Sequence, residues 1–364
     1  MDLSRRELFL GAAALPLLPP RQEPPEPYFT PQEKFRDVSR GKPLPHQLSP
    51  EKRAEVGLTR DTWKLEIGSD PAHPAELGRP KVTLDWAGLL KLAERRAVRL
   101  PKIMTCNNIS RPLGMGLWEG VPLRDILWLA EPKADVRRVF YYGYHNDDPQ
   151  QMFRSSLPIG RALEDPPGMP PVIVCFLLNG QFLTPERGGP VRIVVPEAYG
   201  FKSVKWLSHL VLTNLPVAND TYMDGNNDVD SHLKTAARTL SLPKELKPGQ
   251  PILARGLAQV GISGLSKVQV WVTPSTTVWP ADDPWFTKAP WTDAQILPPP
   301  PDWGKRWPQP FTKAHWAAEL PGLAEGKYTF RCRTIDENGA AQPMPRPFKK
   351  SGAAAIEDLE LVVK

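Results

Sequence analysis

The chain has 364 residues, 41% of them hydrophobic, and 46 Lys and Arg stand against 40 Asp and Glu, for a formal charge of +6. That charge is mild for the length, and no run of five or six like charges occurs, so nothing beyond a basic isoelectric point supports nucleic-acid binding. Proline, at 44 residues, is about twice its average usage, yet 12 Trp and 12 Phe supply ample core material, which excludes a disordered chain in favour of a loop-rich folded one.

The N-terminus reads SRRELFLGAAALPLLPP, with paired Arg5 and Arg6 followed by an apolar stretch from Leu8 to Leu18. The stretch is too short to span a bilayer as a mature helix, and the pattern is that of a twin-arginine export signal over residues 1–21. The other reading is a basic start to a buried helix. Pro16, Pro19 and Pro20 argue against it, because each lacks an N–H and breaks a helix. Export by this route predicts a periplasmic protein that folds before it crosses. About 340 residues remain, which exceeds one typical domain and predicts two. No later segment offers the roughly 18 apolar residues of a membrane span.

Residues 20–50 are rich in Pro and charge and predict an extended arm on the surface. TWKLEIGS, from Thr62, alternates at period two as a half-buried strand does. Thr83 is a plausible N-cap for the helical spacing of LDWAGLLKLAERRAV. PLRDILWLAEP then predicts a short amphipathic helix, VRRVFYYGY a strand, and SLPIGRALE a turn and helix start. PPVIVCFLLNGQFL is an apolar run, an Asn-Gly turn and a second strand, the strongest hairpin signal in the chain; Cys175 inside the run reads as core. GGPVRIVVPEAYGFKSVKWLSHLVLT supplies two more strands around a Gly-Phe-Lys-Ser corner. The mixture lacks regular alternation, so the first domain, residues 22–240, is predicted to be α+β.

Between Thr239 and Gln250, SLPKELKPGQP reads as a linker. Beyond it, KVQVWVT, GKYTFRCRT and IEDLELVVK are strands and DENG is a turn, so residues 250–364 are predicted to form an all-β sandwich of immunoglobulin type. Cys332 has no cysteine partner there and reads as core. Residues 279–316 are dense in Trp and Pro, which fits either a partner surface or a long loop packed on its own domain.

Two arrangements carry chemistry. In KIMTCNNISRPLGMGLWEGVPL, Cys106 follows a strand-like run and precedes asparagines, Arg111 and glycines, the composition of a polar loop that allows close backbone approach. A thiolate there suits a soft or redox-active metal, although a lone cysteine is as readily a core residue. No disulfide framework is implied by three well-separated cysteines. In ERGGPVRIVVPEAYGFKSVKW, Arg187, Arg192, Lys202 and Lys205 lie near Gly188, Gly189 and Gly200. Cations on glycine-bearing loops can hold an anion such as phosphate; solvated surface is the alternative.

Together, LNGQFLTPERGGPVRIVVPEAYGFKSVKWL and the cysteine loop with GLWEGVPLRDIL resemble the sulfite oxidase family of molybdenum oxidoreductases, and the C-terminal region resembles that family's immunoglobulin-like dimerisation domain. The resemblance implies Mo-molybdopterin as cofactor, with Cys106 ligating the metal. It implies that Arg192 meets the pterin phosphate, that Lys202, Ser203, Val204 and Lys205 hold the cofactor, that Arg187, where relatives carry His or Asn, meets the phosphate, and that His145 or Asp147 makes another contact. Arg111 matches a substrate-binding arginine.

The departures concern substrate: only Arg40, in VSRGKP, stands near an expected Arg-Asn-His. Tyr222 comes too early for an expected tyrosine, and HWAAEL places Ala317 and Ala318 where the second domain's arginine is expected. The implied activity is two-electron oxygen-atom transfer on sulfite or a similar oxyanion, or on a sulfoxide or N-oxide. A separate carrier, a cytochrome c, would take the electrons, since no CxxCH motif occurs, and a homodimer is implied. The alternative class is an exported binding protein that kept the fold and lost the cofactor.

Overall fold

The computed structural model describes residues 24–364 apart from 110, 302, 305, 345, 346, 349 and 353, so the predicted export signal lies outside the described residues. A short helix α1 (Pro50–Glu55) precedes β1 (Lys64–Ser69), where Leu65 and Ile67 are fully buried and alternate with polar neighbours, as a strand with one face on the core requires. β2 (Lys81–Asp85) pairs antiparallel with β1, and Thr83 sits opposite Glu66. Thr83 is therefore a strand residue and not the helix cap. The cap is Asp85, whose carboxylate accepts the Gly88 N–H at 2.8 Å to start α2 (Trp86–Arg96); Asp is the stronger capping residue, and strand pairing occupies Thr83.

β3 (Val98–Met104) and β4 (Gly114–Pro122) form a hairpin whose loop carries Cys106. The predicted amphipathic helix is α3 (Leu123–Leu127), followed by β5 (Arg138–Gly143), β6 (Arg154–Pro158), α4 (Ile159–Leu163) and β7 (Ile173–Leu178). The Asn-Gly turn falls as predicted: Asn179 and Gly180 adopt φ of 53° and 77°, both positive as a type I′ hairpin demands, and lead into β8 (Gln181–Phe182). β9 (Arg192–Val194) and β10 (Leu207–Thr213) complete the region. One sheet has the order β2-β1-β10-β5-β6; the other runs β3-β4-β7-β8, with β9 on β7. They enclose one core, to which Leu65, Val139 and Leu210 contribute from the first sheet, Val121, Val174 and Ile193 from the second, and Leu89 and Ile126 from the helices.

The remaining strands are β11 (Ala236–Ser241), β12 (Glu245–Leu246), β13 (Ile252–Gln259), β14 (Lys267–Pro274), β15 (Thr292–Ile296), β16 (Lys313–Leu320), β17 (Gly326–Ile335) and β18 (Leu359–Val363). They hydrogen-bond in the order β11-β13-β16-β15-β14-β17-β18-β12, and no helix occurs among the described residues beyond Ala236. The stretch read as a linker is thus partly built into this sheet. Its core includes Ile252, Val268, Val270, Trp316 and Phe330. Cys175 and Cys332 are fully buried in their cores. In the Trp-rich segment, Trp279, Phe286 and Trp291 pack against Trp271 of β14, and the Arg331 and Arg333 guanidinium groups lie over Phe286 and Trp291. That part of the segment is therefore a loop folded onto its own sheet.

Residues 24–49 wrap the first region as an arm. Thr30 N–H donates to Met115 O and Arg36 N–H to Leu113 O, while the Gln32 amide donates to Phe182 O. At the arm's start, Lys313 of β16 donates to the Pro27 carbonyl at 2.9 Å. Among the described residues, no helix is long and apolar enough to cross a membrane.

Candidate active site

The Cys106 loop is tied down on two sides. Leu113 N–H donates to Met104 O at 2.7 Å across the hairpin, and Gly200 N–H donates to Thr105 O at 2.6 Å. Lys102, four residues before the thiol on β3, is fully buried, and its ammonium donates to Pro196 O and Ala198 O, both at 2.8 Å. The loop that precedes Lys202 is thereby fastened to the strand that presents Cys106. Burial pulls Lys102 down to about 7, the expected response of a cation held by carbonyls alone.

Cys106 opens on a cavity of about 380 Å³. Asn108, Ile109, Phe153, Phe201, Tyr222 and Lys350 line it around the thiol, and Arg187, Arg192, Ser203 and Lys205 line it as a second, cationic group. Burial pushes the Cys106 thiol up, against the Asn107 and Asn108 backbone N–H groups and the Lys350 charge.

The cationic group is held by carbonyls. Arg192 donates to Arg187 O at 2.9 Å and to Ser203 O at 2.6 Å, and its guanidinium lies over the Trp118 ring. Lys205 donates to Asp37 Oδ1 at 2.8 Å, and to Ser39 Oγ and Glu186 O at 2.7 Å each. Trp206 adopts φ of 54°, a left-handed conformation rare for a bulky residue. Its N–H donates to Gly188 O, its indole to Pro185 O, and its own carbonyl accepts Tyr144 N–H. These bonds hold the turn that aims Lys205 at the cavity. Gly188, at φ +96°, packs against Lys205, and a Cβ there would lie 2.7 Å from Lys205 Cγ.

Burial and the neighbouring arginines pull Lys205 down to about 8, and burial pulls Arg192 to about 10. Burial would raise the Asp37 carboxyl, but Lys205 and Ser39 hold it at about 2. Asp37, His46 and Glu186 converge within 4.8 Å. Lys205 pairs with Asp37 and Arg187 with Glu186, so the cluster is an ion-pair network.

Cys106, His145, Arg187, Arg192, Ser203, Val204 and Lys205, separated by up to a hundred positions in sequence, meet in this cavity. Asp147, the alternative to His145, is not among the lining residues. Two of the expected residues lie elsewhere. Lys202 is turned inward, its ammonium 2.6 Å from Asp220 Oδ2 and 2.8 Å from Ser156 O, so it braces the corner and does not reach the cavity. Arg111 does not line the cavity either; its Nη2 donates to Thr239 O on β11.

Sequence reasoning also missed residues. Tyr222, read as too early, lines the cavity with its ring stacked on Phe201 and its hydroxyl 2.9 Å from Asn107 Oδ1. Lys350 supplies a cation from the C-terminal region, where only an arginine near Ala317 was sought. The pattern TYMDGNND could have suggested Tyr222 by its aromatic in a polar loop; nothing local marks Lys350.

The cavity fits an anionic cofactor bearing a phosphate. Arg187 Nε and Arg192 Nε are buried without a hydrogen-bond partner, and an unsatisfied buried guanidinium N–H costs about 1–3 kcal/mol. An incoming phosphate satisfies both, and the thiol at the other group offers a soft metal ligand.

Residues 53–221 match the family described as oxidoreductase molybdopterin binding domain. The nitrate reductase (NADPH) of Beauveria bassiana is 34% identical over 107 residues, 29% of this chain and 12% of that protein. The nitrate reductase (NADPH) of Pichia angusta is 32% identical over 163 residues, 45% of this chain and 18% of that protein. The chain thus spans less than a fifth of either relative. The crystal structure of sulfane dehydrogenase SoxCD from Paracoccus pantotrophus has a TM-score of 0.60 at 18% identity, covering 88% of this chain and 86% of that one, and shares the fold. Residues 53–221 therefore form a molybdopterin-binding oxidoreductase domain, the class whose cofactor, Mo-molybdopterin, this cavity fits.

Proposed function

We propose that the protein is a periplasmic enzyme catalysing two-electron oxygen-atom transfer on a small oxyanion, sulfite or a close analogue, or on a sulfur-centred oxide. The observation that carries the reading is the meeting of the Cys106 thiol with the buried Arg187 and Arg192 guanidinium groups around one cavity. Relatives named for nitrate and a structural neighbour named for sulfane support a small oxyanion or sulfur substrate. Residues 22–240 are read as the cofactor domain and 250–364 as an immunoglobulin-like dimerisation domain.

In this reading Arg187, Arg192, Lys205 and Ser203 hold the pterin phosphate, His145 and Val204 border the cofactor, and Cys106 binds the metal. When bound, the cofactor supplies the two-electron redox change and the site of oxygen transfer. The chain's own contribution is position and charge. Arg192 is fixed by two carbonyls and an indole face, so it needs little reorganisation to meet an anion. Phe153 and Phe201 line the cavity beside the thiol, and an apolar wall that holds water back strengthens charge interactions there. Electrons leave singly to a separate carrier, a cytochrome c.

The test is molybdenum analysis by mass spectrometry of the exported protein and of Cys106→Ser, with sulfite-dependent dye reduction on both. About one molybdenum per chain, with turnover lost in the variant, is expected if the thiolate is a ligand of the metal while the cationic group holds the cofactor by its phosphate. The fold should survive, since Sγ meets only Asn107 Oδ1 at 3.9 Å and the neighbouring Asn107 and Asn108 backbone N–H groups, contacts that a serine hydroxyl can replace. Molybdenum without sulfite turnover redirects the assay to S-oxides, and no molybdenum in the wild-type protein overturns the reading.

A further inference from the structure

The segment between β17 and β18 leaves its own sheet and lies on the Cys106 loop. Asp228 N–H donates to Lys350 O at 3.0 Å, the Ser231 hydroxyl donates to Ser351 O at 3.1 Å, and Gly352 N–H donates to Asn107 O at 3.0 Å. Asn107, directly after the thiol, is buried at 2% exposure. Its amide nitrogen donates to Lys350 O at 3.2 Å and Asp228 O at 3.4 Å, and its oxygen accepts the Tyr222 hydroxyl at 2.9 Å. A side-chain amide, with two donors and an acceptor, can hold both neighbours at once. One residue beside Cys106 thus fixes a strap from the C-terminal region on one side and an aromatic ring on the other.

Lys350 Nζ lies 5.4 Å from the Tyr222 ring centroid, and the Arg40 guanidinium lies 4.7 Å from that of Phe153. Neither cation has an ion-pair partner among the described residues, unlike Lys202 and Lys205. No carboxylate among the described residues lines the cavity. Once Arg187, Arg192 and Lys205 are assigned to the cofactor, Lys350, Arg40 and Arg36 remain as unneutralised positive charge lining the cavity, and of these Lys350 is the one that acts on the Cys106 thiol. Cations backed by aromatic rings in a walled cleft concentrate an anion there, whereas a neutral S-oxide would require only a hydrogen-bond donor.

We propose that Lys350, presented by the strap and positioned through Asn107, is the cation that selects the substrate, and that the substrate is an anion and not a neutral S-oxide; this rests on the function proposed above. Lys350 acts on what enters the cavity beside Cys106, and Arg40 assists from the arm.

The test uses the full chain expressed without molybdenum and compares alkylation of Cys106 by anionic iodoacetate with alkylation by neutral iodoacetamide. Cys175 and Cys332 are fully buried and do not compete. The ratio of the two rates cancels any change in thiolate fraction and reports local charge. Lys350→Gln should lower the ratio at least about threefold and Lys350→Glu further, on the scale of one focused charge in a cleft. Lys267→Gln, at the exposed start of β14, should leave it unchanged. In the holoenzyme, Lys350→Gln should raise KM for the turned-over anion while kcat and molybdenum content hold. An unreactive Cys106, or an unchanged ratio in Lys350→Glu, overturns the proposal. A lowered ratio in a protein that never acquires molybdenum would instead retain the anion site and sink the oxidoreductase reading.

Discussion

Removing the Asp220 carboxylate separates a bracing role for Lys202 from a cofactor-binding one. The Asp220 side chain is fully buried and accepts four hydrogen bonds, from the Ser155 and Ser156 hydroxyls, Ser156 N–H and the Lys202 ammonium. Asp220→Ala leaves the Lys202 ammonium, 7% exposed, with a single carbonyl partner. An uncompensated buried charge of this kind costs about 3–5 kcal/mol. For a domain of some 200 residues that lowers the melting temperature by roughly 10 °C. Thermal and urea unfolding of the cofactor-free chain, followed by tryptophan fluorescence, reads the loss. The double variant Lys202→Met with Asp220→Leu replaces the pair by apolar groups and should return to within about 1–2 kcal/mol of wild type, with molybdenum content restored. A loss below about 1 kcal/mol in Asp220→Ala would refute the energetic argument. A double variant that folds as well as wild type yet takes up no molybdenum would show that Lys202 meets the cofactor after all.

Lys205 gives a pH prediction. Its pKa is lowered to about 8, whereas the unfolded lysine keeps its proton to about 10.5. Its charge is therefore complete below pH 8 and lost above it. Between the two values the unfolded chain binds more protons, so this group's unfavourable effect on folding eases as pH rises. Sulfate, whose own charge is fixed across this range, should bind the cofactor-free protein up to about tenfold more weakly at pH 9 than at pH 7; calorimetry on Lys205→Met should show no such change, and an equal slope in the variant would refute the assignment. Gly188→Ala places a Cβ 2.7 Å from Lys205 Cγ at a φ of +96°. It should cost about 1–3 kcal/mol and reduce sulfate affinity by moving the lysine. Unaltered affinity in a folded Gly188→Ala protein would show that the turn does not aim Lys205.

Much of the site was legible because its residues lie in short, chemically dense runs. Cys106 stands between a strand and a run of residues that cannot extend it, and Arg187 to Lys205 lie within twenty positions on glycine-bearing corners. Local chemistry marks such residues, since close backbone approach and clustered cations have few structural explanations. Lys202 was grouped with them by the same logic: it is adjacent to Ser203, but a Gly-Phe-Lys-Ser corner can turn its lysine either way. The buried Asp220, eighteen residues downstream, turns it inward.

What the sequence alone determined was therefore periodic or local: the half-buried strand β1, the Asn-Gly hairpin between β7 and β8, the core positions of Cys175 and Cys332, and the cationic character of the Arg187–Lys205 corner. Each follows from alternation, turn chemistry or composition over a few residues. The extent of strand pairing moved the cap of α2 from Thr83 to Asp85, because a hydrogen-bond ladder depends on a partner distant in sequence. Tertiary structure decided as well the turning of Arg111 toward Thr239, the entry of Tyr222 and the return of Lys350 to the thiol. Lys350 lies 244 positions after Cys106, and its approach depends on where two separately folded sheets meet, information that no local pattern of residue types carries.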